Sequence, residues 1–142
     1  PKPTIQTVSN AMDVSSPSNF VRIQEMFQNF KKLSKIMSSY SFDDIETLKM
    51  VKNVYNDKNY VLDPHGAVGY LGLKKYLSIN PEKIGVFLET AHPIKFSKDV
   101  EEVIKIKLDI PEEIKKILLK EKKYIDIDDY SDFKEKMFVL NF

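Results

Sequence analysis

Apolar residues recur at helical spacing over most of the chain, and polar or Pro-containing breaks separate the stretches. Phe20, Ile23, Phe27, Phe30 and Leu33 form one stripe behind Ser18, a candidate cap. Lys31, Lys32 and Lys35 lie at its solvated end, where cations suit the helix dipole. A second helix starts near Ser41 to Asp44, turns Ile45, Leu48, Val51 and Tyr55 inward, and stops at Asn56-Asp57-Lys58-Asn59. Asp63 caps a third, with Pro64 at its first position, where a missing N–H costs nothing. Asn80-Pro81 ends that region. Ser97 caps a fourth helix with Val100, Val103 and Ile104 inward. Asp109 and Pro111 open a fifth with Ile114, Ile117 and Leu118 inside, and Ser131 to Leu140 reads as a last short helix.

Between the helices lie short extended pieces. Thr4 to Val8 is β-branched, and Ser9 to Pro17 is a small, polar loop. Tyr60-Val61-Leu62 is brief. Ile84-Gly85-Val86-Phe87-Leu88 is a continuous apolar run, as expected for a strand covered on both faces. Tyr124-Ile125-Asp126-Ile127 alternates and reads as an edge strand or a loop. Helices joined to a few strands in this order predict an α/β fold, helix-rich, with a small, mostly parallel sheet. Residues 1–142 read as a single unit, with 111–142 a less distinctive helical tail.

Gly66, Gly69 and Gly72 recur every third residue inside the third helix, and each costs that helix about 1 kcal/mol against Ala. Their shared face admits close approach of another backbone, as in packing on a sheet, or lines a ligand pocket at the helix start.

Composition narrows the function classes. The 142 residues are 42% apolar and 11% aromatic, which fits a folded chain. A net charge of +1 disfavours nucleic-acid binding, and Arg22 is the single arginine among 22 basic residues. Cysteine is absent, so disulfides and thiolate metal sites are excluded. His65 and His92 show no metal-ligand spacing, and no apolar run is long enough to span a membrane. The chain opens on Pro1-Lys2-Pro3 without an initiator Met, which reads as a cut from a longer chain.

Two places carry candidate chemistry. His65 follows Asp63-Pro64 at the positive end of a helix, where a neutral imidazole donor or an anion contact is favoured, although a lone His near a helix start is more often structural. Thr90, His92 and Lys95 cluster after the apolar run and offer a hydroxyl, an imidazole and an ammonium. Together these suit an anionic ligand, or simply form a capped polar turn. The charged run Lys115 to Lys123 reads as a solvated helix face.

Three segments resemble the long-form threonine synthases of bacteria and yeast. They are Thr7-Val8-Ser9-Asn10-Ala11-Met12-Asp13-Val14, continuing to Pro17-Ser18-Asn19-Phe20; Asp63-Pro64-His65-Gly66-Ala67-Val68-Gly69-Tyr70; and Phe87-Leu88-Glu89-Thr90-Ala91-His92-Pro93-Ile94-Lys95-Phe96. Their order and separations are similar to the C-terminal region of that family, and the likeness extends to about Ile110. Gly66 and Ile94 are mild departures from it.

The resemblance implies the C-terminal portion of a fold-type-II pyridoxal-phosphate enzyme, a cytoplasmic lyase of threonine biosynthesis. Members convert O-phospho-L-homoserine and water to L-threonine and phosphate. The Schiff-base lysine and the glycine-rich phosphate loop would lie upstream, in a missing N-terminal part of the same chain, so the fragment is expected to be inactive alone. Thr90 would hydrogen-bond the pyridine nitrogen of the cofactor. His65, His92 and Lys95 match motif positions and are candidates for the substrate site. Asn10 and Asp13 would order its entrance. Two rival readings remain: a related pyridoxal-phosphate phospho-lyase that releases phosphate without making threonine, and a stand-alone helical interaction module. The module explains the helices and not the three ordered motifs.

Overall fold

The computed structural model describes residues 3–139. Two compact units divide the chain, Pro1–Asp109 and Ile110–Phe142.

The first unit is built on three helices. α3 (Asp44–Lys58) opens with a reciprocal cap. The Asp43 carboxylate accepts from the Glu46 N–H at 2.8 Å, and the Glu46 carboxylate accepts from the Asp43 N–H at 3.1 Å. It closes at Asn59, whose left-handed conformation (φ 52°) ends the helix. α4 (Pro64–Ile79) runs between the expected signals, Asp63-Pro64 and Asn80. α5 (Ser97–Ile104) continues directly from a 3-10 turn, Pro93–Phe96. α3 packs against both α4 and α5.

The core lies where these three meet. Met50 and Val51 come from α3, Ala67 from α4, Val100 and Ile104 from α5, with Leu62 and Phe96 from the segments that lead in. Val51, Leu62, Ala67 and Val100 are completely buried, and each such aliphatic larger than Ala contributes roughly 1.5–3 kcal/mol. The buried face of α3 is centred on Thr47, Met50 and Val51, a register shifted from the expected stripe, and Ile45 is exposed. Thr47 satisfies its hydroxyl on the Asp43 carbonyl at 2.8 Å, which makes its burial tolerable.

Several expectations are corrected. The first stripe is two helices, α1 (Phe20–Phe27) and α2 (Phe30–Leu33). Gln28 adopts the left-handed conformation (φ 58°), and Asn29 restarts the chain by accepting from the Lys32 N–H at 3.0 Å. Asn19 takes the position expected of Ser18, without a side-chain cap bond. Ser97 does not cap α5, because the 3-10 turn feeds straight into it and Phe96 holds the cap position. In the second unit, α6 (Glu112–Leu118) leaves Ile117 and Leu118 well exposed and Ile114 marginally so, and α7 spans Tyr130–Val139. Leu140, the expected end of that last helix, lies outside the described residues.

The expected sheet is the largest difference. Among the described residues there is no strand. Residues 84–91 run without helix or strand pairing, and no backbone hydrogen bond joins them to a neighbour. A strand exists only as part of a ladder, and nothing lies alongside to complete one. The burial pattern still has the period of two of an extended segment. Gly85, Phe87 and Glu89 are half-buried, while Ile84 (98%), Val86 (85%) and Leu88 (75%) are exposed. One face is covered instead of the expected two. Tyr124–Ile127 is likewise unpaired and exposed.

Candidate functional site

The second and third motifs converge at the N-terminus of α4. Asp63 caps that helix, its carboxylate accepting from the N–H of His65 at 2.9 Å and of Gly66 at 3.4 Å. Two orphan donors are thereby satisfied by a side chain that is itself fully buried. The Asp63 N–H donates to Oε1 of Glu89 at 2.8 Å, which ties the helix start to the end of the extended segment. The His65 ring lies on Phe96, with centroids 4.9 Å apart and planes at 58°, so the far end of the corner is held to the same helix turn.

Glycine explains how Glu89 fits. A Cβ on Gly66 would collide with the Glu89 carboxylate. The close approach expected at this helix is therefore made by a side chain, not by another backbone. Gly69 faces nothing within 4 Å, and Gly72 meets the Tyr40 and Phe42 rings at ordinary contact distance. The three glycines thus serve different surroundings.

The electrostatics of the cluster are set by two carboxyls at one place, Asp63 fully buried and Glu89 half-buried. Burial pushes Glu89 up to about 7, reinforced by its hydrogen bond with Asp63 and by that residue's negative charge. Burial acts in the same direction on Asp63. There it is outweighed by hydrogen bonds with Glu89 and His65, which hold this carboxyl below its ordinary range. Nδ1 of His65 stands 2.6 Å from Oδ1 of Asp63. Donating from Nδ1, His65 hydrogen-bonds the Asp63 carboxylate. Both Nε2 of His65 and Oε2 of Glu89 are buried without a partner among the described residues.

Thr90 is the next residue along and points the other way. Its side is exposed, and its hydroxyl makes no hydrogen bond among the described residues. His92 is exposed too, and Nδ1 of its ring accepts from the Ile94 N–H at 3.2 Å, capping the turn Pro93–Phe96. Lys95 is exposed in that turn and forms no salt bridge among the described residues. The structure thus gathers all four expected residues around one corner, with His65 mostly covered behind it and Thr90, His92 and Lys95 on its outer side. Asp13, from the first motif, accepts from the N–H and hydroxyl of its neighbour Thr7 and organises the loop around Asn10. That loop is tied to α3 through the Val8 N–H and Asp44.

Asp63 and Glu89 were not among the expected site residues. The signal for Glu89 was available: a carboxylate that continues the alternation of Gly85 and Phe87 faces inward, and it needs a small residue opposite. A groove of about 590 Å³ runs elsewhere, along α4, between Tyr40, Phe42, Gly72, Val86 and Leu88. Its lining mixes apolar side chains with polar groups such as Ser38 and Tyr76, and Thr90, His92 and Lys95 do not line it. Among the described residues there is no cluster of side chains that could hold a metal ion, and no helix is long and apolar enough to cross a membrane.

The family model for the C-terminal region of threonine synthase matches residues 66–137, just over half of the chain. Threonine synthase of Buchnera aphidicola subsp. Acyrthosiphon pisum is 40% identical over 114 residues, covering 80% of this chain and 26% of that protein. The chain therefore spans about a quarter of the length of the curated relatives it matches. The crystal structure of threonine synthase from Escherichia coli superposes with a TM-score of 0.80 at 34% identity, over 98% of this chain and 32% of that one. The PLP-bound threonine synthase of Brucella melitensis, at 22% identity and a TM-score of 0.67, shares the fold over 96% of this chain and 34% of that one. The chain belongs to the threonine synthase family, of which it is the C-terminal portion.

Proposed function

We propose that this chain forms one wall of a pyridoxal-phosphate site in an enzyme that converts O-phospho-L-homoserine and water to L-threonine and phosphate. The observation that carries the reading is the Thr90 hydroxyl, exposed and unpartnered among the described residues at the end of a segment anchored by Glu89. Such a group fits the ring nitrogen of the cofactor. When bound, pyridoxal phosphate supplies the electron sink for loss of the substrate's phosphate and addition of water. Thr90 orients the ring and, as a neutral hydroxyl, leaves its nitrogen less than fully protonated, which moderates that sink. Lys95 provides a point charge for the substrate's phosphate. His92 holds the turn that presents Lys95, and His65 fixes the corner from behind through Phe96.

The rest of the site belongs to the preceding part of the same protein, including the lysine that bonds the cofactor. The exposed apolar face of Ile84, Val86 and Leu88 supports a further element of the reading: in the whole protein this segment is a strand of a mostly parallel sheet. The enzyme acts in the cytoplasm on a small molecule, without nucleic-acid or membrane partners. Thr90→Val in the full-length protein tests the reading. It is expected to retain cofactor and to lose turnover about 100-fold, on the scale of a misplaced reacting group. Turnover within a factor of about two of the parent would refute the role of Thr90.

A further inference from the structure

We propose that Glu89 is a positioning residue for Thr90: its carboxyl group fastens the segment that carries Thr90 to the N-cap of α4. The inference rests on the reading of Thr90 given above. It starts from the geometry of an extended chain, in which adjacent side chains face opposite sides. Glu89 faces inward and Thr90 outward. Whatever fixes the Glu89 side chain therefore sets the aim of the Thr90 hydroxyl.

Three features show that Glu89 is held rather than merely enclosed. Oε1 accepts from the Asp63 backbone N–H at 2.8 Å. The carboxyl occupies the space that any side chain at position 66 would need. Residues 84–91 have no backbone hydrogen bond to a neighbouring segment among the described residues, so this side-chain contact is what registers their end against α4.

The chemistry of the contact specifies the form of Glu89. As a carboxylate it would set a second negative charge against buried Asp63 and leave Oε2 without a partner. As a carboxylic acid it can hydrogen-bond the Asp63 carboxylate, which also accepts from Nδ1 of His65. The upward displacement of Glu89 agrees with this assignment. The titratable groups around it are Asp63 at the cap and His65 in the first turn of α4, while His92 and Lys95 follow in the corner and are exposed. A Gln at position 89 reproduces both the acceptor and the donor.

The experiment uses the full-length holoenzyme carrying Glu89→Ala, Glu89→Gln, Gly66→Ala or Thr90→Val, with kcat, KM and the visible absorbance of the bound cofactor measured for each. Glu89→Ala and Gly66→Ala are expected to lower kcat at least about tenfold with little change in KM, and to alter the absorbance in the same sense as Thr90→Val. Glu89→Gln is expected to stay within about threefold of the parent and to keep its spectrum. If Thr90→Val lowers kcat while Glu89→Ala changes only thermal stability, the role of Glu89 is overturned and that of Thr90 stands. If Glu89→Gln is as damaging as Glu89→Ala, the neutral acid is overturned. If Thr90→Val has no effect, the reading of Thr90 is itself overturned. Should Glu89→Ala fail to fold, the isosteric Gln variant and Gly66→Ala still decide.

Discussion

Glu89 accepts a hydrogen bond from the backbone N–H of Asp63 at 2.8 Å, across 26 residues of sequence. This bond joins two of the chain's motifs and places a half-buried acid next to the exposed hydroxyl of Thr90. The consequences for stability differ from those for activity and can be measured separately.

Gly66 and Gly69 stand one helical turn apart and should respond oppositely to alanine. A methyl at Gly66 meets the Glu89 carboxylate, and overpacking of this kind costs about 1–3 kcal/mol. A methyl at Gly69 meets nothing within 4 Å, so helix propensity should stabilise the protein by about 0.5–1 kcal/mol. Denaturant midpoints of the two full-length variants check the contrast. Equal effects would mean that position 66 is not filled as described.

The cap at Asp63 is a second point of leverage. Asp63→Ala removes the acceptor for two N–H groups and the partner of His65, with a loss of about 1–2 kcal/mol from the cap alone. Asp63→Asn keeps one of the two acceptor oxygens that serve the cap and the His65 ring, so an intermediate loss is expected. Thermal melts of both variants provide the check, and an alanine variant as stable as the parent would contradict the capping role.

The pH dependence follows from the two carboxyls with opposite signs. Glu89 is raised from 4.5 to about 7, so its contribution to stability is full below 4.5 and is lost as pH rises through about 7. Asp63 is lowered from 3.8, so its contribution is present above that value and lost as pH falls further. Glu89→Gln cannot lose its proton. The Tm of this variant relative to the parent should therefore climb between about pH 5 and about pH 8. A constant difference over that range would show that Glu89 does not titrate there.

The exposed face of residues 84–88 yields a prediction about assembly. If these residues form a strand in the whole protein, Val86→Lys buries a charge and should destabilise the full-length protein by at least about 2 kcal/mol. Unchanged thermal stability would mean that this face stays in solvent.

How much of this was legible depended on the range of the interaction concerned. α4 could be read to its ends because Asp63, Pro64 and Asn80 act locally. The start of α3 was placed only near Ser41 to Asp44, and the reciprocal cap of Asp43 and Glu46 that sets it emerged from the structure. The break at Gln28-Asn29 was missed because the apolar stripe continues across it, and a left-handed Gln leaves no mark on periodicity. Ile84 to Leu88 was recognisable as apolar and extended, but pairing depends on a partner strand that side-chain pattern does not reveal. Thr90, His92 and Lys95 were found through their motif, and the cluster behind them was not. The inward direction of Glu89 could be read from the alternation with Gly85 and Phe87, whereas its seat against Gly66 is a relation that only folding creates.

The most direct measurement is phosphate release from O-phospho-L-homoserine by the full-length protein loaded with pyridoxal phosphate, with threonine followed in parallel. Phosphate and threonine are expected to appear together in equal amounts, and Thr90→Val to suppress both. Phosphate without threonine, or neither product from a folded and cofactor-loaded protein, would contradict the proposed reaction.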